Sequence, residues 1–320
     1  MNEKLVSFIE NSFLKKLLQN EAITDISFNG VNIFYMHNKD GRQKADIEVT
    51  QNEVMDFIRQ IANFSEKQFS YATPELDISV GRYRLTAVHP SIVRVNDEKS
   101  CSFSLRIGSI KSRIEGDEKF IPKDAEKYLF ECLKNNESLV IAGPTGSGKT
   151  ELQKYLLSHL RKNSRIIVID NIEELENVRG NEDLDITMWQ ISPNNQMGSI
   201  QSLIRIALRS NPDWLVIAEA RGKEMNEVLN SVLTGHPIVT TLHAKRIEDI
   251  PLRICRMVEM AEVNQKHEDI LNDINTSIKN YVFVNRVINE DGSIDRFVES
   301  IGRMSDDGKL KIIYKKGDVK

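Results

Sequence analysis

The segment Gly143–Thr150, with the sequence GPTGSGKT, contains residues whose types and spacing suit phosphate binding. Its glycines allow backbone N–H groups to wrap around a polyphosphate, and a helix that begins there adds a favourable dipole. Lys149 is predicted to reach the β- and γ-phosphates of a nucleotide, and the Thr150 hydroxyl to ligate Mg²⁺. The predicted nucleotide-binding residues are therefore Gly143, Pro144, Thr145, Gly146, Ser147, Gly148, Lys149 and Thr150.

Glu219 is an acidic residue that directly follows the apolar segment Trp214–Ala218. An acid beside a buried strand is costly unless it has a partner or a task. Because α/β sheets bind their ligands at the carboxyl ends of strands, Glu219 lies where phosphate chemistry needs an acid near the metal and the attacking water. The alternative is a purely structural ion pair with Arg221, since ion-pair networks also hold such acids.

The surrounding sequence predicts the elements that must position these groups. The apolar strand SLVIA precedes the glycine-rich segment, and apolar residues follow it at helical spacing: Leu152, Tyr155, Leu156 and Leu160. Beyond residue 121, apolar strands alternate with predicted helices at 122–134, from Lys149, near 200–209 and near 223–233. This rhythm predicts an α/β domain, a parallel sheet with helices on its faces. A last pair of strands is predicted to turn at Asp291-Gly292.

The length of 320 residues suggests two domains rather than one. Residues 1–107 alternate between strand-like and helical patterns and are predicted to form a smaller α+β domain. Segment 108–121 is polar and weakly patterned, so we predict a linker there. The α/β domain is placed at 122–320.

Within the first domain, alternating apolar residues around the turns Asn29-Gly30 and Asp40-Gly41 predict hairpins. Apolar spacing in 51–69 predicts a helix. Residues 1–20 have helical apolar spacing interrupted by charges, and they lack the continuous apolar core of a signal peptide. A packed amphipathic helix is favoured there, with contact to a membrane surface as the alternative.

The composition describes an ordinary globular protein, with 40% hydrophobic and 28% charged residues. The net charge of −4 provides no global basic field for nucleic acid. Three cysteines are widely spaced without a CxxC pair, which argues against a disulfide framework or a zinc site and favours a reducing cytoplasm. No window approaches the length of a membrane span.

Two longer stretches, RIALRSNPDWLVIAEARGKE and TGHPIVTTLHA, resemble the type II/IV secretion ATPase superfamily. In that family a strand ends in a glutamate within an Arg-Gly-x-Glu run, and a histidine box follows. The matching residues are Glu219, Arg221, Gly222 and Glu224, then Thr234-Gly235-His236 and Thr241-Leu242-His243-Ala244. The N-terminal hairpin is similar to that of the traffic ATPases of type IV secretion and conjugation, with tight-adherence pilus ATPases as near relatives.

The family's acidic box corresponds to VIDNIEEL, residues 168–175, and here the sequence departs from the family pattern. The usual Glu-Asp pair is replaced by Asp170-Asn171, and Ala218 replaces the usual glycine before the strand-end glutamate. The resemblance implies that Asp170 contributes to the metal or water site together with Thr150, with Glu174 as the later acidic position. We expect these changes to affect the rate more than the fold.

The resemblance also assigns roles to residues that spacing alone leaves open. His243 is implied to sense the state of the nucleotide, whereas a lone strand-end histidine is more often structural. Arg82 and Arg106 match first-domain arginines that stabilise the transferred phosphate of a neighbouring subunit, and their alternative is a solvated strand face. Arg205 and Arg209, on the helix before the strand that ends at Glu219, are instead candidates for contacts at the subunit interface.

Together these motifs imply a RecA-like P-loop NTPase domain preceded by a smaller α+β N-terminal domain. The implied protein is a cytoplasmic ATPase that uses ATP and Mg²⁺, assembles as a homo-hexamer and works with inner-membrane components of a secretion or pilus apparatus. Two alternatives remain: a nucleic-acid translocase on the same core, which the acidic composition disfavours, and an ATP-binding scaffold with weak turnover.

Overall fold

The computed structural model of the chain describes residues 2–108, 112–170, 175, 184–191 and 198–318. It contains two compact units, one of residues 1–110 and 288–295 and the other of residues 111–287 and 296–320. Each has an apolar core of its own. Among the described residues, no helix combines the length and apolar character that crossing a bilayer requires.

The predicted linker is partly buried in the second unit. Three apolar residues of its described part pack into the core of that unit: Ile114, Phe120 and Ile121. The segment around them is polar, and therefore the sequence pattern did not reveal their burial. The predicted domain boundaries themselves remain a prediction.

The first unit contains a six-stranded sheet in the order β3-β2-β1-β8-β5-β4. All five neighbouring pairs in this sheet are antiparallel, and the predicted hairpins join β1 to β2 and β2 to β3. The elements of this unit are α1 (Asn2–Glu10), α2 (Lys15–Leu18), β1 (Ile23–Phe28), β2 (Ile33–His37), β3 (Gly41–Lys44), α3 (Gln51–Phe64), β4 (Glu75–Val80), β5 (Tyr83–Val88), β6 (Arg94–Val95), β7 (Glu98–Lys99) and β8 (Ser102–Ile107).

Local signals explain the helices of this unit. A capping box begins α3, because the Thr50 side chain accepts from the Glu53 N–H while the Glu53 carboxylate accepts from the Thr50 N–H. The helix was predicted to reach residue 69 but ends at Phe64, since Glu66 adopts a left-handed backbone with φ of 53°. The predicted N-terminal helix is two helices in the structure, and its apolar face is packed as expected, with Leu5 and Ile9 buried.

The second unit contains an eight-stranded sheet in the order β11-β10-β12-β13-β9-β14-β15-β16. Its pairs from β11 to β14 are parallel, as predicted, whereas β15 and β16 are antiparallel to each other. The elements are α4 (Lys123–Lys134), β9 (Leu139–Ala142), α5 (Lys149–Ser158), β10 (Arg165–Asp170), β11 (Asp185–Gln190), α6 (Ile200–Leu208), β12 (Trp214–Ile217), α7 (Met225–Leu233), β13 (Ile238–Leu242), α8 (Ile250–Glu259), α9 (His267–Ser277), β14 (Asn280–Ile288), β15 (Ile294–Met304) and β16 (Leu310–Lys315).

The central strands of this sheet are buried along their whole length. Every residue of β9, β12 and β13 is buried, and these segments are continuous apolar runs with few exceptions. Such runs are typical of parallel strands that are covered on both faces. The structure adds β11, α8, α9 and β16, which the sequence patterns did not predict.

A polar network joins the N-terminal side of β9 to β14 and β15. Arg303 donates through Nη1 and Nη2 to the two carboxylate oxygens of Glu137, at 2.6 and 2.8 Å. Asn280 donates to the same carboxylate at 3.0 Å and accepts from the Tyr128 hydroxyl at 2.7 Å. The hydrogen bonds from Arg303 are the main cause of a lowered pKa of the Glu137 carboxyl.

Glu137→Gln is therefore expected to lower the free energy of unfolding near pH 7 by roughly 1–2 kcal/mol, because a bidentate ion pair at a partly exposed site is replaced by a contact between Arg303 and a neutral amide with one acceptor oxygen. The pKa of Glu137 in the folded protein lies below its ordinary value of 4.5. The difference in free energy of unfolding between wild type and Glu137→Gln is therefore at its full size above pH 4.5. It should disappear as the pH falls through the folded pKa.

Urea unfolding followed by tryptophan fluorescence measures this effect in the second unit, because both tryptophans, Trp189 and Trp214, lie there. Exposed Glu131 on α4 provides the control Glu131→Gln, which should leave the unfolding curve unchanged. A pH-independent difference between wild type and Glu137→Gln would contradict the assigned ion pair.

Candidate active site

The glycine-rich segment connects buried β9 to α5 and has the backbone that the motif predicts. Gly146 and Gly148 have φ of 72° and 99°, in the left-handed region that favours glycine. A Cβ added at Gly143 would lie 2.0 Å from the carbonyl oxygen of Val284, so no side chain fits there. The loop conformation therefore depends on glycine at these positions.

Lys149 begins α5 and lies against the loop that precedes it. Its side chain is only 8% exposed, and its Nζ donates to the carbonyl oxygens of Gly143 and Pro144 at 3.0 and 2.9 Å. The adjacent Ser147 is fully buried, and its hydroxyl has no hydrogen-bond partner among the described residues. The loop thus holds a buried cation and a buried hydroxyl side by side.

Glu219 follows β12, and its two carboxylate oxygens face different partners. Oε2 accepts from the Arg221 guanidinium at 2.7 Å, so the ion pair considered as the structural alternative is present. Oε1 lies 3.0 Å from Nε2 of His243, within ion-pair distance but without the angle of a hydrogen bond. The contact with Arg221 therefore engages only one of the two oxygens.

His243 lies between Lys149 and Glu219. Its Nδ1 is 3.4 Å from the Lys149 Nζ and 3.2 Å from the Gly143 carbonyl oxygen, while its Nε2 faces Glu219. The Lys149 ammonium can only donate and the Gly143 carbonyl oxygen can only accept, so Nδ1 serves one or the other according to the tautomer. Nε2 faces the Glu219 carboxylate outside hydrogen-bond geometry. One imidazole thereby contacts both predicted catalytic groups.

The strand order explains this convergence. β13 is a parallel neighbour of both β12 and β9, with Ile217 opposite Thr240 and Leu242 opposite Ala142. The carboxyl ends of the three strands consequently meet at one edge of the sheet, although up to 100 residues separate the groups they carry.

Gln153 connects the loop helix to the same strands, and sequence reasoning missed it. It is fully buried on α5, and its Nε2 donates to the carbonyl oxygens of Ile217 and Val239 at 3.0 and 3.2 Å. These two residues belong to β12 and β13. A polar residue at a helix position flanked by Leu152 and Leu156 is the only sequence signal for this connection.

Asp170 ends β10, the parallel neighbour of β12 on its other side. It is 3% exposed, and its Oδ2 accepts from the Leu175 N–H at 3.0 Å. Thr150 is partly buried in the first turn of α5. Asn171 and Glu174 lie outside the described residues. The metal-binding roles of Asp170 and Thr150 remain predictions, as does the role of Glu174.

The two predicted arginines of the first unit differ in their surroundings. Arg82 is 19% exposed, donates to the Leu18 carbonyl oxygen at 3.2 Å and lies 3.6 Å from the Glu10 carboxylate. Arg106 is 53% exposed, and its Nε lies 3.4 Å from the Asp25 carboxylate. The contacts of Arg82 suit a role within its own unit, and the exposure of Arg106 suits a role toward another molecule.

Two further arginines, which sequence reasoning did not identify, lie beside the glycine-rich loop. Arg296 donates through Nε to the carbonyl oxygen of Gly146 at 2.7 Å. The guanidinium of Arg286 packs so close to Gly146 that a Cβ there would lie 2.8 Å from it. Arg286 lies on β14 and Arg296 on β15, far along the chain and outside any recognisable motif. They add positive charge next to the loop.

Comparisons with known proteins identify the family and the fold. A family model described as "Type II/IV secretion system protein" matches residues 108–291. An uncharacterized protein of Bacillus anthracis is 30% identical over 262 residues, 79% of this chain and 57% of that protein. The type IV secretion system protein VirB11 of Bartonella quintana is 33% identical over 125 residues, 38% of this chain and 34% of that protein. The chain thus spans less than two thirds of the length of these relatives.

Among solved structures, the ATPase DotB of Legionella pneumophila is similar with a TM-score of 0.68 and 18% sequence identity. The alignment covers 92% of this chain and 80% of DotB. This similarity confirms the predicted fold class, a RecA-like P-loop domain preceded by a smaller α+β domain.

Proposed function

The chain belongs to the type II/IV secretion system protein family, and from this premise we propose that it is a Mg²⁺-dependent ATPase that powers substrate export or the assembly of a secretion or pilus apparatus. One observation carries the proposal: the His243 imidazole contacts both Lys149 and Glu219, the cation for the phosphates and the acid for the attacking water. The name of the VirB11 relative, a type IV secretion system protein, supports the cellular process.

Lys149 binds the β- and γ-phosphates in this proposal. Its ammonium already lies within the loop, hydrogen-bonded to the carbonyl oxygens of Gly143 and Pro144. Exchanging these neutral acceptors for phosphate oxygens is favourable, because the attraction between the ammonium and phosphate charges adds to the hydrogen bonds. The buried Ser147 hydroxyl, the loop N–H groups and the α5 N-terminus add donors to the same site.

In this proposal a magnesium ion is held by Thr150, in the first turn of α5, and by Asp170, at the end of β10. Thr150 and Asp170 offer a hydroxyl and a carboxylate, and oxygen atoms are the ligands that Mg²⁺ prefers. When bound, the ion neutralises negative charge on the phosphates. Asp170 is 3% exposed, which holds its carboxylate in one position.

Glu219 orients and deprotonates the attacking water in this proposal, and His243 couples it to the phosphate site. The side chain is 21% exposed while Oε1 is buried against His243, so bulk solvent is largely excluded and an attacking water would approach beside Oε2. Movement of the Lys149 ammonium toward a phosphate changes its contact with Nδ1 of His243, and the opposite ring nitrogen faces Glu219. In this proposal the imidazole transmits occupancy of the phosphate site to the acid.

A hydrolysis assay on the purified full chain tests this function. We expect ATP turnover with Mg²⁺, its loss when EDTA removes the metal, and no stimulation by single- or double-stranded DNA or by RNA. Several-fold stimulation by a nucleic acid would instead support the translocase alternative. ATP binding without measurable turnover would support the scaffold alternative and overturn the proposed activity.

The proposal also includes the location and the assembly of the protein. It would act in the cytoplasm, at a membrane-bound apparatus, as an oligomer. As a homo-hexamer, each subunit would present a first-unit arginine to the nucleotide of its neighbour, where a guanidinium stabilises charge on the transferred phosphate. Arg106, being the more exposed of the two predicted arginines, is the stronger candidate, and Arg82 is the second. The inner-membrane partners would be components of that apparatus.

Mixing two inactive variants tests the arginine in trans. Arg106→Ala lacks the charge but keeps its own phosphate loop, whereas Lys149→Ala has the reverse defect. We expect each chain alone to be nearly inactive and the mixture to regain part of the activity, because some interfaces then pair an intact loop with an intact arginine. Wild-type activity should also rise faster than linearly with protein concentration through the assembly range.

Arg59 provides the matched control for this experiment. It also lies in the first unit, is 58% exposed and has a carboxylate partner, Asp56, at 3.7 Å. Arg59→Ala should retain wild-type activity. A stable monomer that hydrolyses ATP at the full rate would contradict the proposed arginine in trans.

A further inference from the structure

Three potential metal ligands converge where α8 is joined to α9, away from the glycine-rich loop. Cys255 and Glu259 lie four residues apart on α8 and therefore face the same side of that helix. His267 is the first residue of α9. One ligand atom from each side chain lies within 4.8 Å of the other two, and this is the one such cluster among the residues that the structure describes.

The three side chains of this cluster meet around one ring nitrogen. The Glu259 Oε1 lies 2.7 Å from Nδ1 of His267, and the Cys255 Sγ lies 3.5 Å from the same nitrogen. The thiol can also donate to the His267 carbonyl oxygen, 3.8 Å from Sγ, so hydrogen bonds can satisfy the three groups when no ion is bound. What favours a metal ion is the convergence of a sulfur, a nitrogen and an oxygen, each of them a transition-metal ligand, within 4.8 Å of one another.

The spacing suits a zinc-like ion. With Zn–S of about 2.3 Å and Zn–N and Zn–O of about 2.0–2.2 Å, tetrahedral ligand atoms are about 3.3–3.6 Å apart. The distance between Cys255 Sγ and His267 Nδ1 already matches, at 3.5 Å. The distance between His267 Nδ1 and Glu259 Oε1 must increase by about 0.6 Å to reach that geometry. The Glu259 side chain is 39% exposed, which leaves it room to move.

Burial fixes one ligand and leaves the others accessible. Cys255 is fully buried within the core formed in part by Val258 and Ile270, so its sulfur has a defined position. The His267 side chain is 48% exposed and Glu259 borders the same surface, so an ion can enter from solvent.

We propose that Cys255, Glu259 and His267 form a transition-metal site, with Zn²⁺ as the best match, that fastens the end of α8 to the start of α9. Thiolate, imidazole and carboxylate are all established zinc ligands, and solvent completes the coordination as the fourth ligand. From the widely spaced cysteines without a CxxC pair we expected no zinc site. The proposal departs from that expectation, because a single cysteine is here combined with a histidine and a carboxylate.

Cobalt and zinc titrations of the metal-free full chain test the site. Co²⁺ should bind at one equivalent and produce the near-ultraviolet absorption of a sulfur-to-cobalt bond. Zn²⁺ should displace it, also at one equivalent, and at saturation should raise the thermal unfolding midpoint by roughly 5 °C. The titrations use phosphate-free buffer without nucleotide, so that metal bound together with nucleotide at the predicted magnesium site does not contribute to the signal.

Three variants and one control define the ligands. Cys255→Ser should abolish the sulfur-to-cobalt absorption. His267→Gln and Glu259→Gln should each weaken Zn²⁺ binding at least about 10-fold. Position 267 is half-exposed, so His267→Gln does not endanger folding. The control is His37→Gln, which removes a histidine from a similar pair, with Asp40 at 2.8 Å, that belongs to no three-ligand cluster among the described residues. It should leave the titrations unchanged.

The proposal is overturned if the folded wild-type chain shows no sulfur-to-cobalt absorption, or if His267→Gln binds Zn²⁺ as tightly as wild type. Either result would leave a surface pair of Glu259 and His267 with no metal. ATP hydrolysis is not a readout here, so these outcomes are independent of the proposed ATPase activity.

Discussion

Lys149→Ala is expected to reduce ATP turnover by at least about 10²-fold, to the limit of detection, while the chain remains folded. The variant removes the only charged atom that contacts the loop carbonyl oxygens of both Gly143 and Pro144 among the described residues. Without it, the phosphates lose the cation that binds them in the ground state and in the transition state. Turnover and nucleotide affinity should therefore both fall, as measured by phosphate release and by titration with a fluorescent ATP analogue.

Lys154 provides a matched control for this variant. It lies on the same helix and is nearly as buried, 7% exposed against 8% for Lys149, but its Nζ pairs with Glu151 at 3.3 Å. Lys154→Ala should lose some stability and keep most of its turnover. Circular dichroism and thermal unfolding establish that both variants are folded. Wild-type turnover by folded Lys149→Ala would refute the assignment of the phosphate loop.

Glu219→Gln is expected to retain near-normal ATP affinity and to lose roughly 10²-fold or more in turnover. The amide keeps the size of the side chain and can still accept a hydrogen bond from Arg221, so the local structure should persist. It cannot take a proton from water at neutral pH, so the loss falls on the chemical step. Single-turnover hydrolysis measured beside equilibrium ATP binding separates the two effects.

The control for this variant lies at the opposite end of the same strand. Asp213 precedes β12 and accepts from the backbone N–H of Arg165 at 2.8 Å, a structural contact remote from the glycine-rich loop. Asp213→Asn should keep wild-type turnover. Equal losses of ATP binding and turnover in Glu219→Gln would indicate that the carboxylate acts structurally, through its pair with Arg221.

Residues that act through local sequence were predictable. The phosphate loop is one contiguous segment between a strand and a helix, and its glycines lie at positions where the backbone requires them. The alternation of apolar runs and helical patterns predicts β9, β12 and β13, because strands that are buried on both faces are continuous apolar runs. Glu219 was recognised because an acid directly follows such a strand.

The end of α3 and the burial of Phe120 were not predicted correctly, because the neighbouring residues form no pattern that indicates either feature. The helix predicted to residue 69 ends at Phe64 because a single residue, Glu66, leaves the helical region. The polar segment that resembles a linker buries Phe120, whose ring lies 2.8 Å from where a Cβ of Gly148 would be. Apolar residues isolated among polar ones form no periodic pattern, so their burial depends on the partner that packs against them.

The chemical groups of the site are recognisable from local sequence: a cation in a glycine-rich loop, a strand-end acid and a histidine after a third strand. Their contact depends on the tertiary fold, because strand order places β13 between β9 and β12 and so brings His243 to both Lys149 and Glu219. The same holds for Gln153, for Arg296 beside the loop and for the cluster around Cys255. Hydrogen bonds and metal ligation act over about 2–3.5 Å, and distances of that size between residues far apart in the chain are set by packing rather than by sequence spacing.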